Sequence, residues 1–380
     1  MTDFPPIRLF PVADSHHAWA ALLLEGSAPL ACDQLASLFG EFGLFDALGS
    51  LPCIVDLASP QGSEEIESLV PAEQIVLRIP AAACVAEADC TAAGRLRAEG
   101  FHLMAAGLPA GGGKLCPAIE AVALACGESP AAAGLAGHHL ALAVDTPQAF
   151  EACRQAGFHW FAGDYALHPT DQDHAGGAAR HALLLQLLTR IGRDAEAHEL
   201  EELIKQDAQL SYQLLRLVNS VAFSLTHKIT SFGQAITILG RRQLQRWLQL
   251  LLYARPHGEQ RSPLMPRAAL RAALMEALCA GRGRDVQDRA FMAGMFSLLD
   301  ALTGSELRSV VVPLNLADDV ANALLEQSGP LAPALAAVLA GERREAPLAE
   351  ALAQAGISPA EWAAALVRAY RWAIQVSLAG

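Results

Sequence analysis

The chain has 380 residues, 53% of them hydrophobic and 18% charged, with a formal net charge of −13 and eight cysteines. A single core rarely grows to this length, so two domains of roughly 170 to 200 residues are expected. The longest apolar stretches, such as residues 248–254, are far shorter than the roughly 20 residues a membrane-spanning helix needs, and the start MTDFPPIRLF has neither the basic segment nor the apolar run of a secretory signal, so a cytoplasmic chain without membrane contact is expected.

From residue 7 to residue 168, short apolar runs alternate with helical stretches. Strands are predicted at 7–13, 19–24, 53–57, 75–79, 101–105, 121–126, 140–145 and 159–165. Helices are predicted between them at 33–48, 91–99 and 147–156, the last two followed by glycine, which helix ends favour. Eight strands with intervening helices predict a compact (β/α) barrel of the TIM kind. Residues 170–178, TDQDHAGGA, are polar and then glycine-rich and read as a linker. Beyond it only helical spacing is found, at 181–190, 196–205, 210–219, 243–253, 268–279, 289–302, 317–326 and 359–378. The expected organisation is a barrel over 1–169, a linker over 170–178 and an all-helical domain over 179–380.

The cysteines (Cys32, Cys53, Cys84, Cys90, Cys116, Cys126, Cys153 and Cys279) include no CxxC pair and have mostly apolar neighbours, so buried free thiols are expected. His174, His181, His198, His227 and His257 lack a paired spacing on one helix face and predict no metal site. Gly111-Gly112-Gly113-Lys114 lacks the spacing and the hydroxyl residue of a phosphate loop and reads as an ordinary loop.

Charge divides the chain. Residues 1–175 hold 6 Lys and Arg against 21 Asp and Glu, whereas the remainder holds 21 against 19. Residues 241–289 contain ten arginines and four acids, so Arg241, Arg242 and Arg246 are candidate residues of a partner surface. Aromatic residues for base stacking are nearly absent there, so a protein partner is expected over nucleic acid, and the acidic barrel of the same chain qualifies as one.

The run LSYQLLRLVNSVAFSLTHKITSFGQAITILGRRQLQRWLQLLL, residues 210–252, resembles the signature of HDOD domains, the HD-related output domains of bacterial signalling proteins. The matching residues include Asn219, Ser220, Phe223, Ile229, Ser231 and Gly240, each with a structural reading as helix stop, apolar face or turn. HDOD domains are similar to HD-type phosphohydrolases, whose His-Asp pair holds metal. Here no His-Asp dipeptide occurs, and the corresponding place in AFMAGMFSLLDALTG reads Ser297-Leu298.

The first half resembles an EAL domain, a cyclic di-GMP phosphodiesterase barrel, through WAALLL (19–24), LRAEGFHLMAAGL (96–108) and VDTPQAFEACRQAGFHWFAGDYALHP (144–169). That family's chemistry uses acidic ligands of two divalent cations and a lysine. By this resemblance its ligand positions fall on Ala20, Arg78, Ala105, Ala106, Ala123, Leu142 and Ala162, leaving an apolar barrel mouth. The resemblance implies a degenerate EAL barrel joined to an HDOD domain: no enzyme, no cofactor, and a non-catalytic signal-transduction adaptor or regulatory scaffold that binds other signalling proteins, with a homodimer left open. The alternative is a nucleotide sensor whose barrel binds cyclic di-GMP without hydrolysing it.

Overall fold

The computed structural model describes residues 4–61, 66, 71–130, 134–168, 178–207, 210, 232–254 and 262–379. Eight strands close into one barrel in chain order. They are β1 (Arg8–Ala13), β2 (Trp19–Glu25), β3 (Cys53–Asp56), β4 (Ile75–Pro80), β5 (His102–Ala106), β6 (Ala121–Ala125), β7 (Leu140–Leu142) and β8 (Trp160–Ala162). From β2 to β8 each pairs parallel with the next, while β1 runs antiparallel to both β2 and β8.

Every predicted strand is present, although β7 and β8 stop early. Ala143, at φ 55°, turns the chain out of β7. Gly163 then leaves β8 so close to that turn that a Cβ on it would lie 2.3 Å from the Val144 carbonyl oxygen, a contact only glycine avoids.

The strands present two faces. Phe10, Val12, Ala21, Leu23, Ile54, Val76, Met104, Ala121, Ala123, Leu140 and Ala162 fill the interior. The alternate residues face outward and join the apolar residues of the helical half in one continuous core.

Helices around the barrel are few and short: α1 (Cys32–Ala36), α2 (Leu44–Leu48), α3 (Glu87–Ala98) and α4 (Pro147–Gln155). The single helix predicted over 33–48 is divided by a π-turn at Ser37–Glu41 and by Gly43 at φ 73°. In α4, Pro147 occupies the first turn and the Thr146 hydroxyl accepts the Ala149 N–H at 3.1 Å.

The second half consists of α5 (Ala178–Gly192), α6 (Ala197–Ile204), α7 (Phe232–Tyr253), α8 (Leu264–Leu278), α9 (Arg284–Phe296), α10 (Leu299–Thr303), α11 (Leu307–Val311), α12 (Asp318–Leu325), α13 (Ala332–Glu342), α14 (Leu348–Ala355) and α15 (Pro359–Ala379). The predicted helix at 210–219 lies outside the described residues apart from Leu210, and of the predicted linker only Ala178 is described, as the first residue of α5. α13 carried no amphipathic signal because it is buried on several sides, from Ala332 to Gly341. Among the described residues no helix is long and apolar enough to cross a membrane.

β1 is where the two halves meet. β8 supplies it with a single register pair, Ala13 with Phe161, so the start of β1 has a free edge on that side. α15 satisfies this edge. The indole Nε1–H of Trp362 donates to the Ile7 carbonyl at 2.8 Å, and the Tyr370 hydroxyl donates to the Leu9 carbonyl. Both rings are buried. The Trp362 ring also lies over Gly341 of α13, where a Cβ would come within 2.5 Å of it.

Ion pairs add to the seam. Arg267 reaches Asp164 at 3.4 Å, Arg344 reaches Glu25 at 3.1 Å and Arg371 reaches Asp46 at 3.8 Å, each with the cation on the helical half and the carboxylate on the barrel. The Arg371–Asp46 pair is exposed and contributes little, the Arg344–Glu25 pair is half-buried, and Arg267 is buried and also donates to the Gly163 carbonyl at 2.8 Å.

Two local features differ from expectation or refine it. Cys90 and Cys116, expected as free thiols, are joined as a disulfide with Cα atoms 4.9 Å apart. The reason is local: the Cys116 N–H donates to the Cys84 carbonyl at 2.7 Å, which holds the loop before β6 against the turn that leads into α3, where Cys90 lies. The remaining six cysteines are free, and burial pushes the Cys53 thiol up to about 12. In turn, His139 ties β6 to the segment before β7. Its Nδ1 accepts the Val122 N–H at 3.2 Å, so Nε2 carries the proton and donates to the Leu135 carbonyl at 3.1 Å.

Two outcomes are expected. Tyr370→Phe leaves the Leu9 carbonyl buried and unpaired, and should cost about 1–3 kcal/mol in chemical denaturation, with helical content by circular dichroism unchanged. Burial, with His159 and His138 nearby, lowers the pKa of His139 below its ordinary 6.5 despite the bond to Leu135, so the unfolded chain binds the proton more readily. Stability should therefore fall as pH drops below about 6.5 through the lowered folded value. His139→Gln should flatten that slope in thermal melts between pH 7 and pH 5.

Candidate functional site

Three neighbouring strands carry charge into the interior at their C-terminal ends. Since Ala21, Leu23, Ile54 and Val76 face inward, the two-residue period of a strand turns Glu25, Asp56 and Arg78 the same way. Asp56 and Arg78 are direct register partners across β3 and β4. The guanidinium grips Asp56 with both arms, Nε to Oδ1 at 2.5 Å and Nη2 to Oδ2 at 2.8 Å, and Nη2 reaches Glu25 Oε1 at 3.3 Å. Burial disfavours the Arg78 cation, but the bond to Asp56, its charge and that of Glu25 outweigh this and hold the group more basic than usual.

The helical half reaches the same place. Arg344, two residues beyond α13, pairs with the oxygen of Glu25 that faces Arg78 and sets its guanidinium 5.0 Å from the centre of the Phe10 ring. Phe10 is an interior residue of β1. Nearby, Arg8 donates to the Ala346 carbonyl. The C-terminal end of the barrel is thus occupied by two guanidinium groups, two carboxylates and one aromatic ring, with one cation supplied by each half of the chain.

This arrangement corrects the expectation of an apolar mouth. Ala20 lies at a bulge where the β1–β2 register shifts between Val12 and Ala13, so the inward residue is Ala21. Ala105 faces outward into the larger core, while Ala106 is half-buried at the end of β5. Ala123 and Ala162 do line the interior, with Leu142 packed against them. Arg78 lies in the interior too, as the clamp on Asp56 and Glu25. The sequence reading missed Glu25 and Asp56 because it looked for carboxylates at motif positions. Their position at the ends of alternating strands was the signal that could have revealed them.

A second ionic cluster is buried among the helices. Arg271 of α8 forms a two-armed pair with Glu342 of α13, at 2.8 and 2.7 Å, and donates to Ser297 Oγ at 3.0 Å and to its carbonyl at 3.3 Å. Burial disfavours this cation as well, but Glu342 outweighs it and holds Arg271 charged. The Tyr253 hydroxyl donates to the Met295 carbonyl at 2.6 Å beside it. Ser297, where the resemblance to HD-type proteins puts the His-Asp pair, is bonded to a guanidinium.

Among the described residues, no three His, Cys, Asp or Glu side chains come together as metal ligands. The carboxylates at the barrel mouth are already shared by Arg78 and Arg344. This donor set does not fit a pair of divalent cations.

Of the HDOD signature residues, Asn219, Ser220, Phe223, Ile229 and Ser231 lie outside the described residues. Gly240 is described, and its φ of 72° breaks the path of α7. The three arginines singled out from charge are turned onto carboxylates of the same chain. Arg242 pairs with Asp288 at 2.7 Å, Arg246 bonds to Glu276 and reaches Asp288 at 3.0 Å, and Arg241 lies 3.6 Å from Asp194. Arg246 also stacks 4.5 Å from the centre of the Phe291 ring.

Comparison with known proteins gives three results. Residues 183–304 match the HDOD domain family. The chain is similar to the cyclic di-GMP phosphodiesterase CdgJ of Vibrio cholerae, 32% identical over 194 residues that cover 50% of this chain and 45% of the relative. It is also similar to the uncharacterized protein YuxH of Bacillus subtilis, 30% identical over 190 residues that cover 49% and 46%. The chain spans less than half the length of the curated relatives it matches. Solved structures similar to it include the EAL enzyme Bd1971 bound to cAMP and cyclic di-GMP, with a TM-score of 0.34 and 9% identity over 41% of this chain and 60% of that one. Another is the EAL-like domain protein YdiV, with a TM-score of 0.31 and 13% identity over 43% and 92%.

The Vibrio relative corrects the expectation that the chain is no enzyme, since a protein 32% identical over half of this chain is named a cyclic di-GMP phosphodiesterase.

Removing the clamp should expose its role. Arg78→Met leaves Glu25 and Asp56 facing each other, and should cost about 2 kcal/mol, between the limits for exposed and buried ion pairs. Urea denaturation of the two proteins reads the difference.

Proposed function

We propose that this protein, whose second half carries an HDOD domain, is a regulatory component of bacterial cyclic di-GMP signalling, in which an EAL-type barrel and the helical half work as one coupled body. The observation that carries this reading is Arg344, which the helical half places on Glu25 and Phe10 at the barrel mouth. A ligand that engages that mouth must bind, move or compete with Arg344, and so shifts the helical half at the same time. The relative named a cyclic di-GMP phosphodiesterase and the EAL and HDOD resemblances support the choice of nucleotide and pathway.

The second reading, a barrel that itself senses cyclic di-GMP, draws on the same site. Arg78 and Arg344 bring two guanidinium groups to one end of the barrel, and paired guanidinium groups suit phosphate recognition. In both readings the helical half passes the signal to other signalling proteins, and the barrel sets its state.

Titration of the full chain with cyclic di-GMP, in magnesium and in manganese, tests this reading. Expected are binding by calorimetry and a change in hydrogen exchange across residues 332–355, with Arg344→Ala weakening both at least tenfold. Chromatography of the same mixtures reads any linear dinucleotide formed. Neither binding, turnover nor an exchange change at millimolar nucleotide would overturn the proposal.

A further inference from the structure

The opposite end of the barrel holds a cavity of about 460 Å³, within the range of small-molecule sites. Its origin lies in the interior side chains. A packed barrel is filled by bulky branched residues, but here Ala121 and Ala123 of β6 face inward with one methyl group each. The space beside Ala121 opens between the N-terminal ends of β4, β5 and β6, and Val76, Met104 and Ala121 form its apolar floor.

The rim is polar and acidic. Glu120 is fixed by Arg97 and by His102 Nδ1, each at 2.6 Å, so its carboxylate is held in position. Glu73, on the short turn before β4, is exposed and forms no ion pair among the described residues. His138 and Trp160, 5.4 Å apart edge to face, supply an aromatic wall. The barrel around them carries a large excess of acidic residues.

We propose that this cavity binds a planar aromatic or heteroaromatic cation, with the ring against Met104 and Trp160 and the charged or donor end toward Glu73 and Glu120. Such a ligand suits an apolar floor, an aromatic wall and a negative rim. A dinucleotide dianion does not, because the rim carboxylates oppose it. The cavity is therefore a second ligand site, separate from the mouth formed by Glu25, Asp56 and Arg78, and its occupancy is independent of cyclic di-GMP.

A matched pair of probes tests the charge and the ring together. Tryptamine and indole-3-propionate share one ring system and carry opposite charges. Calorimetry on the full chain should show one tryptamine bound per chain and at least tenfold weaker binding of indole-3-propionate. Ala121→Phe, which fills the floor, should abolish tryptamine binding, and Glu73→Gln, on an exposed turn where folding is not at stake, should weaken it several-fold. Absence of tryptamine binding at millimolar concentration, equal affinity for the two probes, or unchanged affinity in Glu73→Gln would overturn the proposal, whatever the folding of Ala121→Phe.

Discussion

The barrel closes through one strand whose far edge its neighbour barely pairs, and the helical half completes what that neighbour leaves open. β8 meets β1 at Ala13 alone. Unpaired backbone carbonyls are costly when buried, and those of Ile7 and Leu9 are met by the indole of Trp362 and the hydroxyl of Tyr370. Several other features follow from that docking. Trp362 needs Gly341 beneath it, Gly341 places α13 beside β1, and the segment after α13 carries Arg344 to the barrel mouth. Remove the seal at β1, and Arg344 loses its route to Glu25.

Fixed cations are the second organising element. In each half a buried guanidinium is shared among acceptors from separate strands or helices: Arg78 binds β2 and β3 through Glu25 and Asp56, and Arg271 binds α13 and Ser297. Such pairs are weak sources of net stability because desolvation offsets much of their attraction, but losing one partner leaves a costly bare charge. Their effect is positional. Each carboxylate is held in one place, and the elements that carry the partners are pinned to one another.

Much of the architecture was legible in the sequence. Alternation of short apolar runs gave all eight strands, and three- and four-residue spacing gave most of the helices. α13 escaped because a helix buried on several sides has no polar face to mark its period. The Cys90–Cys116 bond escaped because their neighbours resemble those of any buried thiol, and only the Cys84 carbonyl contact brings the loop close. The barrel mouth was misjudged. A strand inverts its faces with every single step, so a bulge that no local composition announces turned Ala21 and not Ala20 inward, while Glu25 and Asp56 were missed because they lie outside the motif positions. Charge counting found the arginines at 241, 242 and 246, but not the carboxylates of other helices that fold back onto them.

The bonds from Trp362 to Ile7 and from Tyr370 to Leu9 join residues 355 and 361 positions apart. During synthesis, β1 leaves the ribosome well before α15 does. Its edge carbonyls stay in water until α15 arrives. A chain cut short before Trp362 would therefore hold a barrel with an open edge, the kind of surface on which strands of different chains pair. Docking of α15 therefore protects the edge of β1 from such pairing, besides joining the two halves.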